Sequence, residues 1–210
     1  MKIVPSILTD RLEDLRDTLN KAEEFAEYVQ IDFMDGVFVP SKSVSPTDLD
    51  GIETPLVCEA HLMVKEPGVY LEGLRRFGFR RAIFHLEADS EPEATVRSIR
   101  EAGMEAGIAI NPETDSDCLD ALVPLLDAVL FLSVTPGFYG SPFVPTVLEK
   151  IRTFREKHAS IVVGIDGGVG LDNIPVIRSL GVNYACVGSR IFLNEDPGRS
   201  YRTLQKRAEG

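Results

Sequence analysis

Eight times along the 210-residue chain, a short β-branched or apolar run is followed by a segment with helical spacing. Nothing else in the sequence narrows the fold as much, because strict βα alternation builds a parallel sheet with right-handed crossovers. The runs predict strands over residues 2–7, 28–33, 56–63, 81–87, 105–110, 128–134, 160–166 and 184–189. Helices are expected over 12–25, 46–52, 67–78, 91–103, 117–126, 143–158, 173–181 and 197–208. Val147, Leu148, Ile151 and Phe154 show the third- and fourth-neighbour spacing of one helix face. Gly78, Gly103 and Gly181 stand where helices should stop before the next strand.

Eight units in so short a chain fit a closed (β/α)8 TIM barrel, one domain over residues 1–210, better than an open sheet. With 44% hydrophobic residues the chain can bury a core, while a net charge of −11 and the lack of a basic run argue against nucleic acid or an acidic membrane as partner. The opening MKIVPSIL enters β-like sequence without an apolar leader, and no window approaches a membrane span, so a cytoplasmic protein is expected. Cys58, Cys118 and Cys186 are odd in number and widely spaced, and read as reduced residues.

Active sites of such barrels form at the C-terminal strand ends, so inward-facing polar residues there carry the functional signal. Strand residues alternate faces, which groups Gln30, Asp32 and Met34, then Glu59, His61 and Met63, then His85 and Glu87. Asp166 takes the last inward position of the seventh strand, and Ser6 lies near the end of the first. Asp32 and Asp166, expected on opposite sides of the ring, suit a reaction in which one carboxylate takes a proton from carbon and the other returns it from the opposite face. For a carbon beside a ketone the intermediate is an enediolate, and Asp with His are ordinary ligands for a divalent cation that polarises the carbonyl. Asp35, of opposite parity and before Gly36, serves a turn in this reading, and His158 lies on a solvated helix end. His85 is a site neighbour, and Glu59 lies a layer below His61 as a carboxylate that would orient it.

Glycine carries the second signal. SVTPGFYGSPF after strand six, DGGV after strand seven and VGSRIF at strand eight offer backbone N–H groups to a phosphate. Gly167, Gly168, Gly188 and Ser189 are the expected phosphate contacts, with residues 137–140 closing over them.

The motifs VPSIL, QIDFMDGVFVP, EAHLMV, FHLEA, TPGFYGSPF, LEKIR, GIDGGV and VGSRIF, in this order and spacing, resemble ribulose-phosphate 3-epimerase over nearly the whole chain. The resemblance implies a TIM barrel of the ribulose-phosphate-binding type that interconverts D-ribulose 5-phosphate and D-xylulose 5-phosphate through a metal-stabilised enediolate. It implies a homo-oligomer and one divalent cation, such as zinc, iron or manganese. By the same resemblance Asp32 and Asp166 are the acid/base pair and metal ligands, and His61 is a further ligand that touches substrate. Ser6, Gly137, Phe138, Tyr139, Gly140, Gly167, Gly168, Gly188 and Ser189 are implied substrate contacts.

Four positions depart from the family pattern. Gln30 stands where it has a metal-binding His, Val37 where a His follows MDG, Ser41 where Asn follows VP, and Tyr139 where the phosphate loop has a second glycine. A carboxamide oxygen is a weaker and harder ligand than imidazole, so the metal would be weakened or changed. A related isomerase, epimerase or lyase with altered substrate, or a non-catalytic phosphosugar-binding relative, are the alternative readings.

Overall fold

A computed structural model describes residues 1–88, 90–137 and 140–210. Eight parallel strands, β1 (Lys2–Ile7), β2 (Tyr28–Met34), β3 (Val57–Met63), β4 (Arg81–His85), β5 (Glu105–Ile110), β6 (Ala128–Leu132), β7 (Val162–Asp166) and β8 (Tyr184–Val187), close into a barrel in sequence order. Pairing of β1 with β8 seals the ring. The helices are α1 (Leu12–Glu23), α2 (Leu71–Phe77), α3 (Pro92–Glu101), α4 (Thr146–Lys157), α5 (Ile174–Ser179), α6 (Ser189–Phe192) and α7 (Pro197–Glu209). None is long and apolar enough to cross a membrane.

Alternation along each strand divides the apolar residues into two cores. In β2 the outward residues Val29, Ile31 and Phe33 join the layer between sheet and helices, which α1 covers with Leu15, Leu19 and Ala22 and α4 with Val147, Ile151 and Phe154. Inside the barrel Val4, Ile83, Ala109, Leu130, Leu132, Tyr184 and Cys186 form a separate cluster. The Tyr184 ring fits there because β7 has Gly164 beside it, where a Cβ would fall 2.4 Å from Tyr184 Cζ.

Two expected helices are replaced by 3-10 turns. Pro46–Asp48 is a single turn in which Asp48 Oδ2 accepts the Ser45 N–H at 3.0 Å. The 117–126 stretch breaks into Ser116–Leu119 and Val123–Leu125, where Pro124 lacks the N–H that a continuing helix needs. Gly78, Gly103 and Gly181 take φ of 92°, 83° and 76°, the helix-ending conformation expected of them.

Candidate active site

The end of β2 places Gln30 and Asp32 inside the barrel, and strand register sets Asp32 level with His61 on β3. His61 Nδ1 lies 3.0 Å from Asp32 Oδ1 and 3.4 Å from Asp166 Oδ2. The Gln30 amide nitrogen lies 3.0 Å from Asp32 Oδ1 and 2.8 Å from Asp166 Oδ2. The two carboxylates are therefore closer than opposite sides of the ring implies: only β1 and β8 separate β2 from β7, and one amide spans both.

Burial and the charge of Asp166 raise the Asp32 carboxyl to about 6, against hydrogen bonds from His61 and Gln30 that lower it. Burial alone would depress His61, but its hydrogen bonds to Asp166 and Asp32, with their charges, push it up to about 10. His61 therefore favours its protonated form between the two carboxylates. Its other nitrogen, Nε2, lies 3.0 Å from His85 Nε2, and His85 Nδ1 lies 3.2 Å from Glu87 Oε2. His85 is driven down to about 4 by burial and by His61. Glu87 is held down at about 2, because hydrogen bonds from His85, Thr114 and the Asn111 N–H outweigh its burial.

Glu59 does not orient His61 as expected. Its Oε2 takes Arg81 Nη1 at 2.8 Å and the Tyr28 hydroxyl at 3.1 Å, while Oε1 takes the Tyr184 hydroxyl at 3.3 Å. This buried ion pair closes the layer beneath the site. Asp35 serves its loop as expected, with Oδ1 accepting the N–H groups of Val37 and Phe38 at 2.8 Å and Oδ2 that of Lys65 at 2.7 Å. His158 is not merely solvated: Nε2 lies 2.7 Å from Asp120 Oδ1 and the ring packs on Phe154. Met34 and Met63 pack with Val39 above the carboxylates.

One cavity of about 100 Å³ opens onto Asp32, His61 and Asp166. Ser6, Gly137, Gly140, Gly167, Gly168, Gly188 and Ser189 all line it, whereas Phe138 and Tyr139 lie outside the described residues. The loop after β7 is braced from two sides. Ser133, wholly buried, has its Oγ 2.9 and 2.6 Å from the Asp166 and Gly167 carbonyl oxygens, which share its one hydroxyl hydrogen. Asn173 accepts the Gly170 N–H at 2.8 Å and donates to the Gly168 carbonyl at 3.1 Å. Neither brace was expected from the sequence, since a lone Ser or Asn after a strand also fits a turn.

Arg190, which lines the cavity, was also passed over by sequence reasoning. A Cβ on Gly170 would stand 2.7 Å from Arg190 Nε and 2.8 Å from Cζ, so the guanidinium group lies across the bare glycine backbone. The signal was present: VGSRIF puts a cation directly after the proposed phosphate contacts.

Asp32, His61 and Asp166 each offer one ligand atom, all within 4.8 Å of one another. Ligands about 2.0–2.2 Å from a tetrahedral cation lie about 3.3–3.6 Å apart, and the His61 contacts of 3.0 and 3.4 Å are close to that edge. The three groups thus fit a divalent cation.

The model of the ribulose-phosphate 3 epimerase family matches residues 2–192. The cytoplasmic isoform of ribulose-phosphate 3-epimerase from Oryza sativa subsp. japonica is 32% identical over 219 residues, covering 100% of this chain and 95% of the relative. Ribulose-phosphate 3-epimerase from Bacillus subtilis is 31% identical over 204 residues, covering 93% and 94%. Among solved structures, a 3-hexulose-6-phosphate synthase superposes with a TM-score of 0.72 at 16% identity, covering 99% of each chain. Orotidine 5'-phosphate decarboxylase from Pyrococcus horikoshii OT3 does so at 0.68 with 13% identity and the same coverage. At such identities the structural likeness is one of fold.

Proposed function

This chain belongs to the ribulose-phosphate 3-epimerase family, an isomerase family, and on that premise we propose that it interconverts D-ribulose 5-phosphate and D-xylulose 5-phosphate. In this reading one of Asp32 and Asp166 removes the proton at C3, the C2 ketone becomes an enediolate, and the other returns a proton to the opposite face. The observation that carries the reading is the pairing of these carboxylates, one from β2 and one from β7, through a single amide at 3.0 and 2.8 Å in one cavity. A two-base inversion needs two such groups close enough to flank one carbon.

Without a cation, His61 is protonated between the carboxylates and offsets their charge. A divalent cation held by Asp32, His61 and Asp166 would take the place of the His61 Nδ1 proton and would act as a Lewis acid toward the C2 oxygen. Backbone N–H groups from Gly167 to Ser189 and the Arg190 guanidinium receive the phosphate, which is how a chain of net charge −11 takes an anion. The experiment is epimerisation of D-ribulose 5-phosphate in deuterated water, with Zn²⁺, Mn²⁺, Fe²⁺ and Mg²⁺ each added back. Deuterium is expected at C3 of both epimers, and its absence under every condition would overturn the proposal.

A further inference from the structure

The Gln30 side chain is completely buried, and each of its polar atoms has a partner. Nε2 serves Asp32 Oδ1 at 3.0 Å and Asp166 Oδ2 at 2.8 Å, while Oε1 lies 3.1 Å from Cys186 Sγ. An amide nitrogen has two hydrogens, so two carboxylate oxygens use both. The reverse orientation would press the amide oxygen against two carboxylate oxygens. On the far side Cys186 is buried, and burial together with the nearby carboxylates keeps it in the S–H form, able to donate to Oε1. The amide is therefore oriented from both ends.

We propose that Gln30 is the positioning residue of the carboxylate pair: aimed by the Cys186 thiol, its amino group clasps Asp32 and Asp166 and leaves any cation to Asp32, His61 and Asp166 alone. The proposal rests on the epimerase reading only for the importance of the two carboxylates. A histidine, which the family pattern puts at this position, offers a cation a lone pair. The only metal-donor atom of an amide is its oxygen, and here that oxygen faces Cys186. The two N–H groups also occupy the oxygens a cation would use, so the amide competes with a cation at this site.

The test uses the full-length protein stripped of metal, titrated calorimetrically with Zn²⁺ and with Mn²⁺, and the Gln30 side-chain amide followed by NMR. Gln30→Leu should bind either cation as tightly as the parent or more so, and Gln30→His should bind zinc more tightly by about tenfold or more. Zinc uptake by Gln30→His alone also supports the proposal. A loss of about tenfold or more in Gln30→Leu, the size expected when a group supporting a metal is removed, overturns it. Gln30→Ala replaces the Leu variant if that one does not fold.

In the metal-free parent the two Gln30 amide protons should be downfield and slow to exchange. Cys186→Ala should speed that exchange, while Cys186→Ser, which keeps a donor, should restore it. Unchanged exchange in Cys186→Ala would remove the thiol from the proposal. None of these readouts involves substrate, so failure to epimerise any ketose phosphate would overturn the proposed function and leave the role of Gln30 to be decided separately.

Discussion

His61 and His85 face each other through their Nε2 atoms at 3.0 Å, with rings 5.1 Å apart and inclined by 27°. Two imidazole nitrogens at that distance share one proton, since two protons would clash and none would leave lone pairs opposed. With His85 neutral and its Nδ1–H toward Glu87, His85 Nε2 is the acceptor and His61 the donor. This pins the His61 ring so that Nδ1 stays on the carboxylates.

His85→Phe keeps the ring volume and removes the acceptor. Supporting groups of this kind are worth roughly 10–100-fold in activity or metal affinity, so kcat should fall by about that factor with KM for the sugar phosphate nearly unchanged. His85→Gln, whose amide oxygen can accept, should recover part of the loss. Steady-state kinetics of both variants, with circular dichroism as a check on folding, decide the matter, and a parental kcat in His85→Phe would remove the positioning role.

Glu87 ties the end of β4 to the loop after β5 through the Asn111 N–H at 2.8 Å and the Thr114 hydroxyl. Its folded-state pKa lies near 2, below the ordinary 4.5. A depressed carboxyl stabilises the fold above its unfolded pKa, and the contribution disappears as pH falls from 4.5 through about 2. A shift of that size would correspond to roughly 3 kcal/mol for a fully shielded group, and solvent screening of this partly exposed carboxylate reduces it to about 1–2 kcal/mol. Glu87→Gln should therefore be less stable than the parent at pH 7 by about 1–2 kcal/mol, and the difference should shrink steadily as the pH falls toward 3. Urea unfolding of both proteins at pH 7, 5 and 3 measures it, and a gap that stayed constant with pH would contradict the assignment.

The barrel was legible because its signal is periodic: alternation sent Gln30, Asp32, His61, His85 and Asp166 inward before any contact was known. What periodicity cannot supply is which inward residues meet. Glu59 shares a face with His61 yet pairs with Arg81 on β4 and Tyr184 on β8, because its layer is set by the stagger of neighbouring strands. The orientation of Gln30 depends on Cys186, 156 residues away, whose neighbours in sequence mark only a buried strand. The helices expected at 46–52 and 117–126 failed for a local reason, since Pro and Asp at those places favour capped single turns over continued helices.

Arg190 is the side-chain cation proposed to meet the phosphate. A charge-assisted hydrogen bond contributes roughly 1.5–3 kcal/mol when shielded and less when exposed, so Arg190→Ala should raise KM by about tenfold with little change in kcat. Affinity for inorganic phosphate, measured by calorimetry, should fall in parallel. Gly170→Val should have the same effect, since its Cβ would enter the space of the guanidinium group. A KM that does not move in either variant would assign the phosphate to the backbone alone.

Gly167 follows Asp166 with a φ of 106°, a conformation L side chains rarely adopt. A Cβ there would also stand 2.4 Å from Val134 Cγ2 and 2.8 Å from Cγ1. Gly167→Ala therefore carries two separate costs, backbone strain of roughly 1–3 kcal/mol and overpacking of roughly 1–3 kcal/mol. Val134→Ala acts only on the second, removing the two methyl contacts and leaving the Val134 Cβ at 3.0 Å. The double variant Gly167→Ala/Val134→Ala should thus be more stable than Gly167→Ala alone, yet KM should stay elevated, because the loop still cannot present the amides of residues 167 and 168 to the phosphate. Urea melts separate the two costs, and sugar-phosphate KM values follow the loop. A double variant with parental KM would show that the clash with Val134, and not the φ at 167, is what requires glycine there.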